Sequence, residues 1–288
     1  MNKKKENQNK KISIKREKMK TKKKKYSKYA KKQLKIMAKC NKYFKKSIKL
    51  NYKFFTVLII LTIFFSLTEK NEIGEKNTII VYIFKIFIGF FSLVLAIITS
   101  YKVHVCSHYS IIFNFFKEMF GNKTNKTKTN KTKTLIEKIW HYFLIYLLKF
   151  HSEYHHDSDI NKIWYNLIIE GIQNVLNCGG LIIIILFLLN FKFKILNNTY
   201  LLNYNVILLW ALGYSTYHLI NYQLKEKGHP HENHHKEPFK NFGPDFIDIL
   251  YNTKYDFNNL DNINDGIYNL ILISIFLLLI RQFKQYIF

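Results

Sequence analysis

Cysteine is scarce in this chain, and its few copies lie far apart. Only Cys40, Cys106 and Cys178 occur among 288 residues, and no two of them form a Cys-x-x-Cys pair. We therefore expect neither a disulfide framework nor a thiolate metal site. The sequence also lacks a phosphate-binding GxxxxGK[ST] loop and any evident Ser-His-Asp arrangement, so phosphoryl transfer and hydrolysis lack their usual residues.

Acidic residues are nearly absent from the start of the chain. Residues 1–50 carry 22 Lys+Arg against Glu6 and Glu17, which places +20 of the net charge of +26 in this segment. The segment has no apolar run long enough for a signal-peptide core, so we expect no cleaved secretory signal. Its charge suits nucleic acid or anionic lipid. We favour a solvated, disordered tail with a topological role and expect no specific nucleic-acid partner.

Long apolar runs fill much of the remaining chain. A bilayer-spanning helix needs about 20 mostly apolar residues. Runs that approach this length, and that predict helices in the membrane, are found at 54–67, 79–101, 175–191 and 201–217. A fifth run at 267–280 is shorter, and the pattern leaves open whether it spans the membrane or lies on its surface.

The distribution of positive charge orients these segments. Because basic residues remain on the cytosolic side, the tail places the N-terminus in the cytosol. The first two runs then form one transmembrane hairpin, and the next two form a second. The predicted fold is all-α, an integral membrane protein with two helical hairpins and a cytosolic helical cap. One conflict follows: if the fifth run spans, Arg281 and Lys284 become lumenal, against the same rule.

Composition divides the chain into four regions. The histidine-rich region includes the second hairpin and a low-complexity insert without apolar residues. In chain order the regions are a basic tail (1–50), the first transmembrane hairpin (51–101), the histidine-cluster region (102–260, with the second hairpin at about 175–217 and the insert at 122–134) and a C-terminal hydrophobic helix (261–288).

Histidine is concentrated in one part of the chain, which holds all 11 copies between positions 104 and 235. Imidazole binds iron, zinc, copper and nickel, so clusters of histidine alone predict a transition-metal centre. Within each cluster two histidines are four residues apart, which on a helix separates their directions by only about 40°. The predicted ligands are His104, His108, His151, His155, His156, His231, His234 and His235, with His218 as a further candidate. The roles of His141 and His229 stay open.

The stretch HENHHKEPFKNFGPDFIDILYNTKY, residues 231–255, resembles the fatty acid hydroxylase/sterol desaturase superfamily. Members tend to show HxxHH, a Pro, Asn-aromatic-Gly, an aromatic-Asp pair and a Gly-Thr ending. The matching residues here are Pro238, Asn241, Phe242, Gly243, Asp248 and Thr253. The resemblance covers about residues 80–255. Ile247 replaces the usual Trp and Asn252 the usual Gly, the first cluster lacks a common Arg, and the second has three intervening residues instead of two.

This resemblance implies a membrane-bound non-haem oxygenase with a histidine-ligated di-iron centre, with zinc as the alternative metal. The substrate would be a fatty acyl, sphingolipid or sterol lipid, hydroxylated or desaturated with dioxygen at the endoplasmic reticulum membrane. We expect the electrons to come from a separate cytochrome b5-type carrier. Asp245, Asp248 and Asn241 are the candidates to orient ligating imidazoles through their other ring nitrogen.

Two other functions fit a histidine-rich membrane protein. A metal transporter or sensor is one, although transport paths usually need ionisable groups at membrane depth, and only Lys85 and Glu170 approach that description. A catalytically inactive scaffold is the other. For the oxygenase, Trp210, Leu212 and Tyr217 would line a path for an alkyl chain, although for each one singly we favour ordinary packing between spans.

Protease protection in sealed microsomes tests the predicted topology. An N-terminal tag and the stretch Gly228–His235 should both be cleaved by external protease, because the basic tail and the number of spans place them in the cytosol. A lumenal marker protein, protected until detergent is added, is the control. Resistance of the N-terminal tag to external protease would overturn the topology.

Overall fold

The computed structural model describes residues 29–69, 78–108, 164–180, 183, 194–195, 199–222 and 230–287. It contains two compact units, Met1–Lys46 and Ser47–Phe288. The low-complexity insert and the second histidine cluster lie outside the described residues. One helix, α1 (Tyr29–Leu50), contains all the described residues of the first unit.

Helices account for nearly all the remaining described structure. Their bounds are α2 Tyr52–Thr68, α3 Ile79–His108, α4 Trp164–Val175, α5 Tyr204–Thr216, α6 Pro230–Lys236, α7 Asp245–Tyr251 and α8 Gly266–Ile287. π-helical turns follow α4 at Leu176–Gly180 and α5 at Tyr217–Asn221. Two short strands, β1 Lys194–Ile195 and β2 Thr199–Tyr200, pair antiparallel. The prediction of an all-α fold is confirmed in this coarse sense.

The bundle α2, α3, α5 and α8 forms the core of the second unit, and its contacts fix the direction of each helix. Near the start of α3, Lys85 donates to the carbonyl of Glu69 just after α2, at 3.0 Å, so α2 and α3 run in opposite directions. The start of α5 meets the middle of α3, where the Asn203 amide donates to Ser92 Oγ at 2.8 Å. Farther along both helices, Trp210 Nε1 donates to Ser100 Oγ at 3.3 Å, so α3 and α5 run in the same direction and end on the same side.

We call that side the histidine end, because α3 finishes there at His108. The starts of α2 and α8 lie there too and are joined by one buried side chain. Asn51, 1 % exposed, donates to the Asp261 carbonyl at 2.9 Å and accepts from the Ile263 amide at 2.8 Å. These two hydrogen bonds join segments about 210 residues apart, so the chain on both sides of the histidines is held at one end of the bundle.

A second polar group lies at the opposite end. Burial raises the pKa of Glu69 to about 7, whereas Lys85 and Arg281 lower it. Arg281 also donates to the Thr68 carbonyl, and Asn203 Nδ2 donates to Glu69 Oε2 at 2.9 Å. If the fifth run spans the membrane, Arg281 lies at the end of the bundle opposite the histidines, against the charge rule. There its charge is next to Glu69 and it donates to the Thr68 carbonyl, which lowers the free-energy cost of that placement.

Two of the described helices are long and apolar enough to cross a membrane, Ile79–Cys106 within α3 and Gly266–Phe283 within α8. A third is obtained only if α1 and α2 are counted together as one span. These helices indicate a membrane protein. The fifth apolar run, whose placement the sequence left open, thus lies in one of the two candidate spans.

The other predicted spans differ from expectation at their ends. The helix α5 has only 13 residues, because Asn203 caps its start by accepting from the Val206 amide at 3.1 Å and a π-helical turn replaces it at Tyr217. The third run was expected to begin a helix at Val175, but α4 ends at that residue. Gly179 then adopts a φ of 131°, a conformation that breaks a regular helix. Of the later part of this run, 181–191, only Ile183 is among the described residues.

The basic tail also differs from expectation. We expected a disordered segment through residue 50, whereas residues 29–50 form a helix. The physical reason lies in the composition of this part of the tail. Lysine, leucine, methionine and alanine are good helix formers, and neither proline nor glycine occurs in these residues.

Gly89 allows the close approach of α3 to α2, and its replacement tests that contact. A Cβ at this position would lie 1.8 Å from Ser66 Oγ and 3.1 Å from Ser66 Cβ. Small residues are used in this way where membrane helices pack closely. We expect Gly89→Ala to lower the unfolding temperature in detergent, and the double change Gly89→Ala with Ser66→Gly to recover most of the loss. An unchanged melting temperature in Gly89→Ala would contradict the packing.

Candidate metal centre

Three of the predicted ligands lie together at the histidine end. His104 and His108 occupy the last two turns of α3, where a spacing of four residues places both on one face, and their ring centroids are 5.1 Å apart. His234 of α6 approaches them from across the chain, 4.9 Å from His104 and 4.8 Å from His108 between ring centroids. The structure thus brings the first and third sequence clusters to one place.

The three imidazoles are close enough to hold one metal ion. One nitrogen from each ring lies within 4.8 Å of the other two, and His104 Nε2 is 3.2 Å from His234 Nε2. Two nitrogens bonded to the same ion at about 2.1 Å each can be at most about 4.2 Å apart. The His104–His234 pair already satisfies this limit, and the third ligand needs only a small side-chain adjustment.

The buried His234 ring is fixed in one tautomer. Its side chain is 0 % exposed, and Nδ1 lies 2.6 Å from the backbone carbonyl of Lys240. A carbonyl oxygen only accepts hydrogen bonds, so Nδ1 carries the proton and the lone pair of the neutral ring lies on Nε2. Metal-binding histidines are usually oriented in this way through their other nitrogen. His234 is therefore ready to bind a cation on the side that faces His104.

The position of the Lys240 carbonyl follows from the local sequence. Proline cannot continue a helix, because it lacks an amide hydrogen and restricts the residue before it, and α6 ends at Lys236, two residues before Pro238. A turn follows, in which the Lys240 amide donates to the Glu237 carbonyl at 2.9 Å. The chain thereby folds back so that the carbonyl of Lys240 itself lies beside the ring of His234.

Phe242 packs against all three histidines. Its ring centroid lies 5.8 Å from that of His104, 5.5 Å from His108 and 5.9 Å from His234. The side chain itself is only 2 % exposed. An apolar ring in this position excludes water from one side of the three histidines. It also limits the rotamers that their side chains can adopt, so their ring nitrogens are held in fixed positions.

A buried carboxylate holds the loop that carries Phe242. Asp248 Oδ1 accepts from the Phe242 amide at 3.0 Å and from Thr253 Oγ1 at 2.7 Å, while Oδ2 accepts from the Gly243 amide at 3.0 Å. Burial raises the pKa of Asp248 to about 7, and the hydrogen bonds from Thr253 and Gly243 lower it. Asp248 was a candidate to orient an imidazole. The bonds that Asp248 makes fix the loop that carries Phe242.

The other two candidates for that role also have structural partners. Asp245 forms a buried ion pair with Lys254 and accepts from the Asp261 amide at 2.5 Å. Asn241 adopts a φ of 52°, and its Oδ1 accepts from the Tyr255 amide at 2.9 Å. The acceptor that orients His234 is the Lys240 carbonyl.

Asn252 occupies a left-handed position that explains one departure from the family pattern. It caps the end of α7 with a φ of 56°, a conformation that glycine and asparagine adopt more readily than other residues. The resemblance places a Gly here. Asparagine meets the same backbone requirement, so the turn that presents Thr253 to Asp248 is kept.

His218 lies in a separate buried group. It sits in the π-helical turn after α5, 5 % exposed, with Nδ1 3.3 Å from Asn174 Nδ2 and 3.7 Å from Glu170 Oε1. A cavity of about 20 Å³ is lined by both His218 and His104. That volume is on the order of one water molecule, so a small ligand between the two groups has room.

The remaining predicted ligands are distributed as follows. His235 belongs to α6, with its ring centroid 6.1 Å from that of His234, and it is outside the group of three. The backbone of His231 is part of the same helix. His151, His155 and His156, with His141 and His229, lie outside the described residues. Trp210 and Tyr217 are 1 % and 2 % exposed and pack in the core.

Sequence reasoning missed several parts of the centre. The Lys240 carbonyl is a backbone group and leaves no side-chain signal, although Pro238 after the third cluster does indicate a chain reversal. Tyr101 was missed as well. It forms a 2.8 Å hydrogen bond with Thr253 Oγ1 and stacks on Tyr251 with ring centroids 4.7 Å apart, so it joins α3 to α7 directly behind the ligands.

Comparison of the chain with protein-family models, with curated proteins and with solved structures finds no match.

Replacing Asp248 tests whether its carboxylate organises the metal centre. In Asp248→Asn one acceptor oxygen becomes an amide donor that faces a backbone amide, so the Phe242 loop should lose its anchor. We expect affinity for Zn²⁺ or Co²⁺, measured by chelator competition in detergent, to fall by about tenfold or more. Asp256→Asn, which removes a carboxylate bound to an exposed amide, is the matched control. Equal metal affinity in the two variants would refute this role.

Proposed function

We propose that this chain is a membrane-bound, metal-dependent oxygenase that hydroxylates or desaturates a lipid. The observation that supports this most directly is the group of three imidazoles at the end of an apolar helix long enough to cross a membrane. Neutral imidazole suits iron and zinc. A bound iron would supply the chemistry, which is the reduction of dioxygen and the oxidation of a carbon–hydrogen bond.

The proposed reaction needs an outside source of electrons. Hydroxylation converts a lipid carbon–hydrogen bond, dioxygen, two electrons and two protons into an alcohol and water. Desaturation uses the same inputs and yields a double bond and two waters. Histidine, tyrosine and carboxylate side chains do not store these electrons. We therefore include a reduced one-electron carrier of the cytochrome b5 type as partner, as the family resemblance implies.

The chain's own residues would perform the binding and positioning. The Lys240 carbonyl keeps the proton on Nδ1 of His234, so its Nε2 stays free to bind a metal. Phe242 covers one side of the three rings. The water-sized cavity between His104 and His218 would admit a small ligand beside the metal, and further ligands would come from the second histidine cluster.

An apolar groove offers a place for the alkyl part of the substrate. It has a volume of about 480 Å³ and is largely open, with Ile168 and Ile172 half-exposed. Its lining consists of Ile168, Gly171, Ile172, Val175, Leu176 and Leu219. The same helix, α4, carries Glu170 and Asn174 next to His218, so a chain in this groove would lie close to the histidine end.

Oxygen consumption by the purified protein tests the proposal. We expect protein loaded with iron in lipid nanodiscs to consume dioxygen only when both a reduced electron carrier and a lipid substrate are present. His104→Ala, His108→Ala and His234→Ala should each lose stoichiometric iron and at least a hundredfold of the activity, because each removes a ligand. The expectation extends to His231→Ala and His235→Ala, whose positions in the third cluster motivated the same hypothesis.

Lysine-to-glutamine changes within residues 1–25 are the control, because they alter charge far along the chain from every cluster. Full activity in His234→Ala would contradict the assignment of the centre. Binding of zinc alone, without oxygen uptake, would favour a metal sensor or transporter. Turnover without dioxygen or electrons would refute the oxygenase.

A further inference from the structure

The helix α1 carries a charge pattern that the proposed oxygenase does not use. Its 22 residues contain eight lysines and no acidic residue. At about 100° per residue, the eight lysines fall within an arc of about 140°. Apart from Ala38 and Leu50, the remaining side chains lie outside this arc. The lysines are Lys31, Lys32, Lys35, Lys39, Lys42, Lys45, Lys46 and Lys49.

Outside the lysine arc, α1 carries exposed apolar side chains, of which Leu34 lies at the edge of the arc and Met37 farther round the helix. Tyr29 is 61 % exposed, Leu34 64 % and Met37 65 %. A helix of a water-soluble protein normally buries its apolar stripe against a core. A helix with a lysine-rich face and an exposed apolar face is instead typical of a segment that lies in the plane of a membrane surface.

The lysines decide between spanning a membrane and lying on it. At about 1.5 Å per residue, 22 residues would be roughly 33 Å long, which is enough to cross. However, a lysine in the middle of a membrane helix costs about 2.5–3.5 kcal/mol even on the most permissive scale, and α1 has eight of them. Such a helix cannot cross the bilayer as a favourable span, whereas at the surface every ammonium group reaches water or phosphate.

The short connection between α1 and α2 also favours a surface position for α1. Only Asn51 separates the end of α1 from the start of α2, and one residue spans at most about 3.6 Å. The helix α2 is a strongly apolar 17-residue segment. If α2 lies in the membrane, the end of α1 is therefore held at the membrane surface by chain length alone.

We propose that α1 lies along an anionic lipid surface, with Leu34 and Met37 among the acyl chains and the lysine face toward lipid phosphates. Nucleic acid would use the lysines equally well. It would leave the exposed apolar side chains without a role, whereas the lipid surface accounts for both faces.

Hydrogen exchange of the full-length protein in nanodiscs tests this proposal. One set of nanodiscs contains phosphatidylcholine alone, and the other an equal mixture of phosphatidylcholine and phosphatidylserine. We expect amide exchange across residues 29–46 to slow at least tenfold in the mixed nanodiscs. High salt should reverse most of this protection, because screening weakens attraction between lysine and lipid.

Two variants separate the contributions of charge and apolar contact. Changing Lys31, Lys35, Lys42 and Lys46 to Gln should abolish the lipid-dependent protection, while the same change at Lys3, Lys4, Lys5 and Lys10 leaves most of it. The pair Leu34→Ser and Met37→Ser should abolish it with all lysines in place.

Several outcomes would overturn the proposal. Equal slowing of amide exchange in both kinds of nanodisc would show that the protection of α1 does not depend on anionic lipid. Protection that survives Leu34→Ser and Met37→Ser, and that an oligonucleotide reproduces in neutral nanodiscs, would show a polyanion site instead. None of these measurements depends on oxygen uptake, so they test the lipid contact of α1 independently of the proposed oxygenase.

Discussion

The centre depends on one buried carboxylate and the backbone amides it accepts from. Asp248 is 0 % exposed, and its two oxygens hold the amides of Phe242 and Gly243 at 3.0 Å each. A buried amide without an acceptor costs about 1–3 kcal/mol, so this loop has little freedom while the carboxylate is in place. The loop fixes the Phe242 ring against three imidazoles, and the adjoining Lys240 carbonyl fixes the tautomer of His234.

The same carboxylate connects the ligands of α3 with those of α6. Thr253 donates its hydroxyl proton to Asp248 at 2.7 Å, so in the 2.8 Å contact between Tyr101 and Thr253 the tyrosine hydroxyl donates. Tyr101 lies about one turn before His104 on α3. A shift of α3 along its axis would therefore break the bond to Thr253 and also separate His104 from His234. The position of α3 along its axis is therefore fixed by its contacts with Thr253 and with His234 of α6.

Much of this arrangement is visible in the sequence, but only where side chains and periodicity carry it. The spacing of His104 and His108 predicts a shared helix face, and a common topological side predicts their meeting with His234. The acceptor for His234 is a backbone carbonyl that no residue type marks. The end of α4 depends on the φ of Gly179. The roles of Asp245 and Asn241 depend on partners 9 to 16 residues away that no short motif marks. The composition predicts the positive charge of the tail, but it did not predict that residues 29–50 form a helix with the lysines on one side.

The position of the histidines along α3 relates the centre to the membrane. The apolar segment of α3 ends at Cys106, between His104 and His108, so the two histidines lie on either side of the point where the apolar sequence ends. Such a boundary meets two requirements at once. Neutral imidazoles tolerate partial burial that would be costly for a carboxylate, and His234 on α6 reaches them from outside the apolar segment. Under the proposed function, a metal held by these histidines would act on an alkyl chain in the bilayer and receive electrons from a carrier in water, and the end of an apolar helix is where both could meet.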